Sequence, residues 1–370
     1  MAPIARHPLE LGPIIPVEGI PSALRKRREE LARGCADPNA MRVCTMNLVA
    51  FCHDDDKCKE THEVLTAMVL EHPGRLFLVH AHREAPKSEF EARVAVDGTP
   101  MGTGIAPTYS ELIDLKATGT DVEYLPALLT SLLESDQPAV SWWATPPTFG
   151  PNWHKMARVC DRMVVDSAQL DPWDLMRLVE YVKREANGAS HEERAALGDL
   201  NWARIKPFTA LTARFFDSPE VRERFSSIDR IIVRHTPAQG SGTAIGPAML
   251  GAWVRDRLHK AAKLAHVKVS PRVELVRSPR ADLGAGQVAE LVLHGDGAKP
   301  IELAVVRPEN ADMLVAEPRQ GVAGMQSQRQ RLQTSSRSWL LAQELQITAR
   351  DPLFESAYLG AIELLREARQ

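Results

Sequence analysis

The chain has 370 residues, of which 44% are hydrophobic and 25% charged, and its formal net charge is -3. That length exceeds one comfortable hydrophobic core and favours two globular domains, while the ordinary apolar fraction excludes a disordered or fibrous class. A balance this close to neutral gives no global pull toward nucleic acid or an anionic membrane, and the basic run "RKRREE" at 25–30 is diluted by acids within one helical turn.

The opening "MAPIARHPLELGPIIPVEGIP" is too proline-rich and too short in apolar residues to be a signal-peptide core, and no later run is long enough to span a bilayer. The reading is a cytoplasmic protein with no membrane partner. Five cysteines, an odd number, suit free thiols in a reducing compartment better than a disulfide framework.

In chain order, residues 1–40 read as an extension followed by the polar helix "SALRKRREELARG", which Gly34 closes. Residues 41–170 read as an N-terminal α/β domain: strand "MRVCTMNLVAF", helix "KETHEVLTAMVLEHP", strand "RLFLVHAH", then strands "FEARVAV" and "YSELIDLKATG" around a turn-rich "DGTPMGTG". Leu125, Leu128, Leu129, Leu132 and Leu133 place a helical stripe in "EYLPALLTSLLESDQP". Strand "PAVSWW", helix "WHKMARVC" and strand "DRMVVD" complete an alternation that predicts a mostly parallel sheet with flanking helices. Residues 171–370 read as a second domain, α/β or α+β, opened by the capped helix "DPWDLMRLVEYVKREANG". Within "GDLNWARIKPFTALTARFF", Pro207 suits a first helical position, which predicts a polar corner and then a helix presenting Phe208, Leu211 and Phe215. Strand "SIDRIIVRH", a long helix from "AIGPAML", strands "RVELVRS", "AELVLHG" and "IELAVVRP", and two closing helices follow. No internal repeat of fixed period is present.

"FCHDDDKCKETH", residues 51–62, is dense in ligand-type side chains, yet Cys52, His53, Cys58 and His62 do not have the short spacings that converge on a metal. The aspartates at 54–56 stand where a helix start exposes unpaired N–H groups and the positive end of its dipole. Cys52 and Cys58 also form a candidate thiol pair across that turn. "GSGTAIG" sets Gly240, Gly242 and Gly246 between a strand and a helix, where backbone N–H groups can meet a phosphate. The spacing is not a dinucleotide fingerprint and no acid follows to hold a ribose, so a flexible loop is the plainer reading. Trp142 and Trp143 point to opposite faces of their strand: both are buried if helices cover both faces, and otherwise one is an aromatic contact. No nucleophile elbow, Walker loop or His-Glu-x-x-His occurs, and no cofactor is expected.

"EHPGRLFLV", "SELIDLKATG", "PAVSWWATPP", "CDRMVVDSA", "GDLNWARIKPFTALTARFFD" and "AMLGAWVRDRL", in this order over residues 60–260, resemble the glucose-6-phosphate dehydrogenase assembly protein family, OpcA. The resemblance implies a non-catalytic bacterial protein that binds glucose-6-phosphate dehydrogenase and promotes its active oligomer in the oxidative pentose phosphate pathway. The dehydrogenase's own Gly-x-x-Gly-Asp-Leu and Asp-His-Tyr-Leu-Gly-Lys runs are missing from this sequence. On this reading the docking surface includes Trp142, Trp143, Asp199, Asn201, Trp202 and Arg204, with Asp199 alternatively a cap and Trp202 alternatively core. The rival is an enzyme or sensor that binds a sugar phosphate or nucleotide at residues 240–246.

Overall fold

The computed structural model describes residues 9–34, 44–69, 72–99, 108–186, 195–238, 243–322, 324–332, 336–347 and 349–367. The elements begin α1 (Ile20–Gly34), β1 (Asn47–Cys52), α2 (Asp55–Met68), β2 (Arg75–His82), β3 (Phe90–Thr99), β4 (Thr108–Thr118), α3 (Leu125–Leu132), β5 (Ala139–Trp143), α4 (Pro151–Val159) and β6 (Arg162–Val165). They continue with α5 (Pro172–Ala186), β7 (Ala196–Asp199), α6 (Leu200–Phe215), α7 (Pro219–Arg224), β8 (Arg230–His235) and α8 (Ile245–Leu264). The chain ends with β9 (Arg272–Arg277), β10 (Val288–Gly295), β11 (Ile301–Val306), β12 (Met313–Gln320), β13 (Gln328–Arg331), α9 (Arg337–Leu345) and α10 (Pro352–Glu367).

Two compact units result, and the chain crosses between them repeatedly. One comprises Met1–Asp166, Ser190–Gly198 and Leu341–Arg350; the other comprises Ser167–Ala189, Asp199–Leu340 and Asp351–Gln370. The first unit carries a seven-stranded sheet in the order β3-β4-β2-β1-β5-β6-β7. Strands β4, β2, β1, β5 and β6 pair in parallel, and β3 joins the edge antiparallel to β4. All residues of β1 and of β5 are buried, as befits central strands of a parallel sheet covered on both faces. From β1 the chain winds first toward β2 and β4, then returns to β5 and β6 on the other side. The boundary between β1 and β5 is therefore a topological switch point, where a crevice opens beyond the carboxyl ends of the strands.

The opposite end of this sheet is tied by charge. Buried Glu111 on β4 lies 2.8 Å from Arg75 of β2 and 2.8 Å from Arg28 of α1, and Arg75 reaches Glu134 at 2.6 Å. A second buried pair secures the returning segment 341–350, because Arg162 on β6 meets Glu344 at 2.6 Å and donates to the Ala349 carbonyl at 2.9 Å. Gly198 passes directly over this pair. A Cβ there would lie 2.7 Å from Glu344 Oε2 and 2.8 Å from Arg162 Nε, so only glycine lets the backbone approach so closely.

The second unit holds a six-stranded sheet in the order β13-β12-β11-β10-β8-β9, antiparallel except for the β8–β9 pair. The parallel pair is the one joined through a helix, α8, as a crossover requires. This unit is mixed, within the expected α/β or α+β class.

Three expectations are corrected. Helix α6 begins at Leu200, so Pro207 sits inside it; the buried Asp199 side chain caps the Asn201 N–H at 2.9 Å and fixes the start well upstream of the proline. Burial of Leu200, Trp202, Ile205, Phe208, Leu211 and Phe215 offsets a helix-interior proline penalty of about 3 kcal/mol. Strands β7, β12 and β13 were not expected: β7 has only four residues and β12 contains Pro318, which weakens a strand pattern. Finally, Cys52 and Cys58 are joined in a disulfide with Cα atoms 5.5 Å apart, whereas the count of five had favoured free thiols. The turn after β1 folds the start of α2 back over the strand end. Among the described residues Cys44 and Cys160 are free, and burial pushes the Cys160 thiol well up.

Removing one partner of the Arg162–Glu344 pair leaves a buried charge uncompensated. Glu344→Gln is expected to lower the urea-unfolding free energy by about 3 kcal/mol, and Arg162→Met by a similar amount.

Candidate functional site

A cavity of about 560 Å³ occupies the switch-point crevice of the first unit. Its wall is made from strand ends and helix starts: Phe51 closing β1, Ala81 and His82 closing β2, Lys116 and Thr118 closing β4, and Trp143 closing β5. Asp55 at the start of α2 and Pro151 and Asn152 at the start of α4 complete it, with Arg83 and Glu84 on the rim. The floor is aromatic. Phe51 and Trp143 are in-register partners whose rings stack at 4.5 Å, and Trp153 abuts Trp143 at 5.3 Å. The buried Trp143 indole N–H has no hydrogen-bond partner among the described residues.

Parallel register assembles the polar side of this crevice. Cys52 of β1 pairs with His80 of β2, and His80 pairs with Lys116 of β4, so these three residues share a row. His80 and His82, two apart on β2, lie on the same face. His80 Nε2 is 2.8 Å from Asp114 Oδ1, and His82 Nε2 is 3.5 Å from Asp55 Oδ1. His53 Nδ1 lies 3.1 Å from the Ala81 carbonyl. Burial lowers the His53 pKa, so the neutral ring donates from Nδ1 and leaves its buried Nε2 without a partner among the described residues. Burial lowers the His62 pKa as well.

The three aspartates of the acidic turn divide their work. Asp54 caps α2, accepting from the Asp56 and Lys57 N–H groups at 2.8 and 3.1 Å. Asp56 pairs with Lys59 at 3.0 Å on the surface. Asp55 faces His82. The helix-start reading of 54–56 therefore holds, with Asp54 as the cap and Asp55 and Asp56 in the first turn, and Asp55 in addition comes near two histidines of β2. Donor atoms of Asp55, His80 and His82 all lie within 4.8 Å of one another, as do those of Cys52, Cys58 and His80.

The residues expected at a docking surface are placed otherwise. Trp142 and Trp143 are 1% and 3% exposed, because both faces of β5 are covered. Asp199, Asn201 and Trp202 are also buried, and Arg204 is half-buried. Asp199 is a structural hub of the second unit: Oδ1 accepts from the Asn201 and Ser167 N–H groups, both at 2.9 Å, and Oδ2 accepts from the Ser167 hydroxyl at 2.6 Å. The Trp202 indole donates to Asp351 at 3.1 Å, and Asp351 in turn caps α10 through the Leu353 and Phe354 N–H groups. Trp202 packs against Phe354, at 6.1 Å between ring centres. Trp142, Trp143, Asp199, Asn201 and Trp202 are thus interior groups in this structure, while Arg204 keeps partial exposure.

Gly240 and Gly242 lie outside the described residues. Gly246 is buried in the first turn of α8, where a Cβ would come 2.7 Å from Asn201 Oδ1; the position needs glycine for helix packing. Large apolar groups that do face solvent include Trp173 at 78% and Tyr124 at 67% exposed, neither singled out by sequence because helical and turn positions carry no exposure label.

A two-unit α/β protein with a strand-end crevice in its doubly wound unit and a mixed sheet in the other is the class these features define. Residues 66–179 match the family described as the N-terminal domain of the glucose-6-phosphate dehydrogenase subunit, and residues 195–358 match the family described as its C-terminal domain. The chain belongs to this OpcA family of glucose-6-phosphate dehydrogenase assembly proteins. The protein described as "Putative OxPP cycle protein OpcA" in Nostoc punctiforme is 26% identical over 305 residues, covering 76% of this chain and 62% of the relative. A relative of the same description in Synechocystis is 29% identical over 151 residues, 40% of this chain and 29% of its own length. The chain thus spans less than two thirds of either relative. Among the described residues no helix is long and apolar enough to cross a membrane.

Two outcomes are expected. Asp199→Ala removes a helix cap and strands buried donors of Ser167 and Asn201, lowering the urea-unfolding free energy by about 3 kcal/mol. His235, buried at the end of β8 with Nδ1 2.8 Å from the Thr236 carbonyl, has its pKa lowered mainly by burial, with a further contribution from Arg277 on the paired strand. Above the ordinary value of 6.5 both folded and unfolded chains hold it neutral. As pH falls below that value the unfolded chain takes the proton first, so stability drops until the folded pKa is reached. Chemical denaturation between about pH 7 and 5 should show this fall, and His235→Asn should flatten part of it, leaving the share of His53 and His62.

Proposed function

We propose that the chain binds glucose-6-phosphate dehydrogenase and promotes its active oligomeric form, working in the cytoplasm on the oxidative pentose phosphate pathway without catalysis of its own. The observation that carries this reading is the match to both domains of the dehydrogenase-associated family in chain order, over residues 66–179 and 195–358. With the tryptophan pair in the core, the contact surface is built from side chains that reach solvent. Its aromatic anchors are then side chains in solvent, with Trp173 on the first turn of α5 the foremost, since desolvating a tryptophan contributes much of the energy of many interfaces.

The test mixes the purified chain with its cognate dehydrogenase and follows mass by light scattering and turnover by NADPH formation. A complex of higher mass with raised kcat or lowered KM is expected. Two proteins that elute separately with unchanged kinetics would overturn the reading. Trp173→Ala is expected to weaken the complex about tenfold or more, whereas Trp142→Phe, a core change, leaves the affinity within about twofold.

A further inference from the structure

We propose that Asp55, His80 and His82 bind a divalent transition-metal ion, zinc being the ion their chemistry fits, with one coordination position open to the strand-end cavity. Nothing in the family match assigns a metal to this chain, and the proposal stands on the cluster alone.

Three separate features of the fold converge here. The period of two along β2 puts both imidazoles on one face, an arrangement that presents two nitrogen donors from a rigid element. Asp54 alone caps α2, which leaves the carboxylate of Asp55, the first helical residue, free of backbone duty and directed at His82. Asp114 Oδ1 lies 2.8 Å from His80 Nε2, the placement of a carboxylate behind a metal-bound histidine when the ion takes the ring's other nitrogen. The donor atoms of the trio lie within 4.8 Å of one another. Tetrahedral zinc with bonds of about 2 Å needs donors about 3.3 Å apart, so small side-chain adjustments suffice. Asp55, whose side chain is 75% exposed, is free to make them.

Donor chemistry narrows the ion. Two imidazoles and one carboxylate suit zinc and its first-row neighbours, whereas calcium and magnesium prefer all-oxygen shells. Three protein ligands leave a fourth site, and Asp55 and His82 both line the cavity, so water or an exchangeable anionic group completes the shell from that side. With the Cys52–Cys58 bond intact, neither sulfur is a thiolate, and His80 serves the Asp55–His82 group rather than the alternative group with the two sulfurs.

The experiment uses the full chain, stripped with EDTA under non-reducing conditions and dialysed, then titrated with ZnCl2 by calorimetry and with CoCl2 by visible absorption. One equivalent per chain is expected, with cobalt d–d bands of a low-coordinate site. His80→Ala, His82→Ala and Asp55→Asn should each weaken binding by about tenfold or more, while Asp55→Glu restores part of it and Cys52→Ser/Cys58→Ser retains it. Far-ultraviolet circular dichroism verifies that each variant is folded; Asp55→Asn, at an exposed carboxylate, keeps the test decisive if a histidine variant unfolds. Absence of saturable binding overturns the proposal. So does binding that survives all three substitutions, and so does binding that appears only after a dithiol reductant and vanishes in the cysteine variant, which would place the ligands on sulfur.

Discussion

The in-register parallel pairing of β1 with β2 governs the chemistry at the strand ends. It sets Cys52 against His80, brings the turn after β1 over the end of β2, and so places Asp55 within reach of His82. A shift by one residue would move His80 and His82 to the other face of the sheet together. At the far end the Arg75 backbone N–H donates to the Met46 carbonyl at 3.0 Å, just before β1, and the buried Arg75–Glu111 pair ties β2 in turn to β4, while apolar residues enclosed on both faces hold the middle. The two ends of this sheet have different duties: ion pairs tie the amino ends, while the carboxyl ends collect groups whose hydrogen-bonding capacity is not used up.

The second unit spends its polar residues differently. Asp199, Ser167 and Asn201 form a buried network, and Asp351 joins the Trp202 indole to the start of α10. Each of these hydrogen bonds closes inside the unit. Tyr358 follows the same rule, with its hydroxyl donated to the Leu175 carbonyl at 2.9 Å and its pKa raised well up by burial. Distinctive sequence is here the mark of architecture, and the Asp-Leu-Asn-Trp run, one of the six stretches that carry the resemblance, is a corner that caps one helix and braces another.

Much of the fold could be read from periodicity. Leu125, Leu129 and Leu132 of the expected stripe are buried while Leu128 and Leu133 are half-buried, the paired tryptophans lie on a central strand, and strand and helix alternate through the first unit. What stayed hidden had physical causes. A four-residue strand such as β7 has too short a pattern to detect, and the start of α6 depended on a buried aspartate whose partner Ser167 lies 32 residues away. The cluster was illegible for a similar reason: His80 and His82 are two residues apart on one strand, but Asp55 reaches them only through the pairing of β1 with β2. The burial of Trp142, Trp143, Asp199, Asn201 and Trp202 was hidden for the reverse reason: aromatic and acidic side chains look alike in sequence whether they face a partner or a core.

The proposed docking on the dehydrogenase through exposed side chains, with the interior residues left in place, is tested most directly by hydrogen–deuterium exchange of the chain with and without that enzyme. Slowed exchange in exposed elements, the first turn of α5 among them, with no change in β5 or in residues 200–204, is the predicted result. Opening of those core segments on binding, or an exchange pattern identical in the two samples, would contradict it.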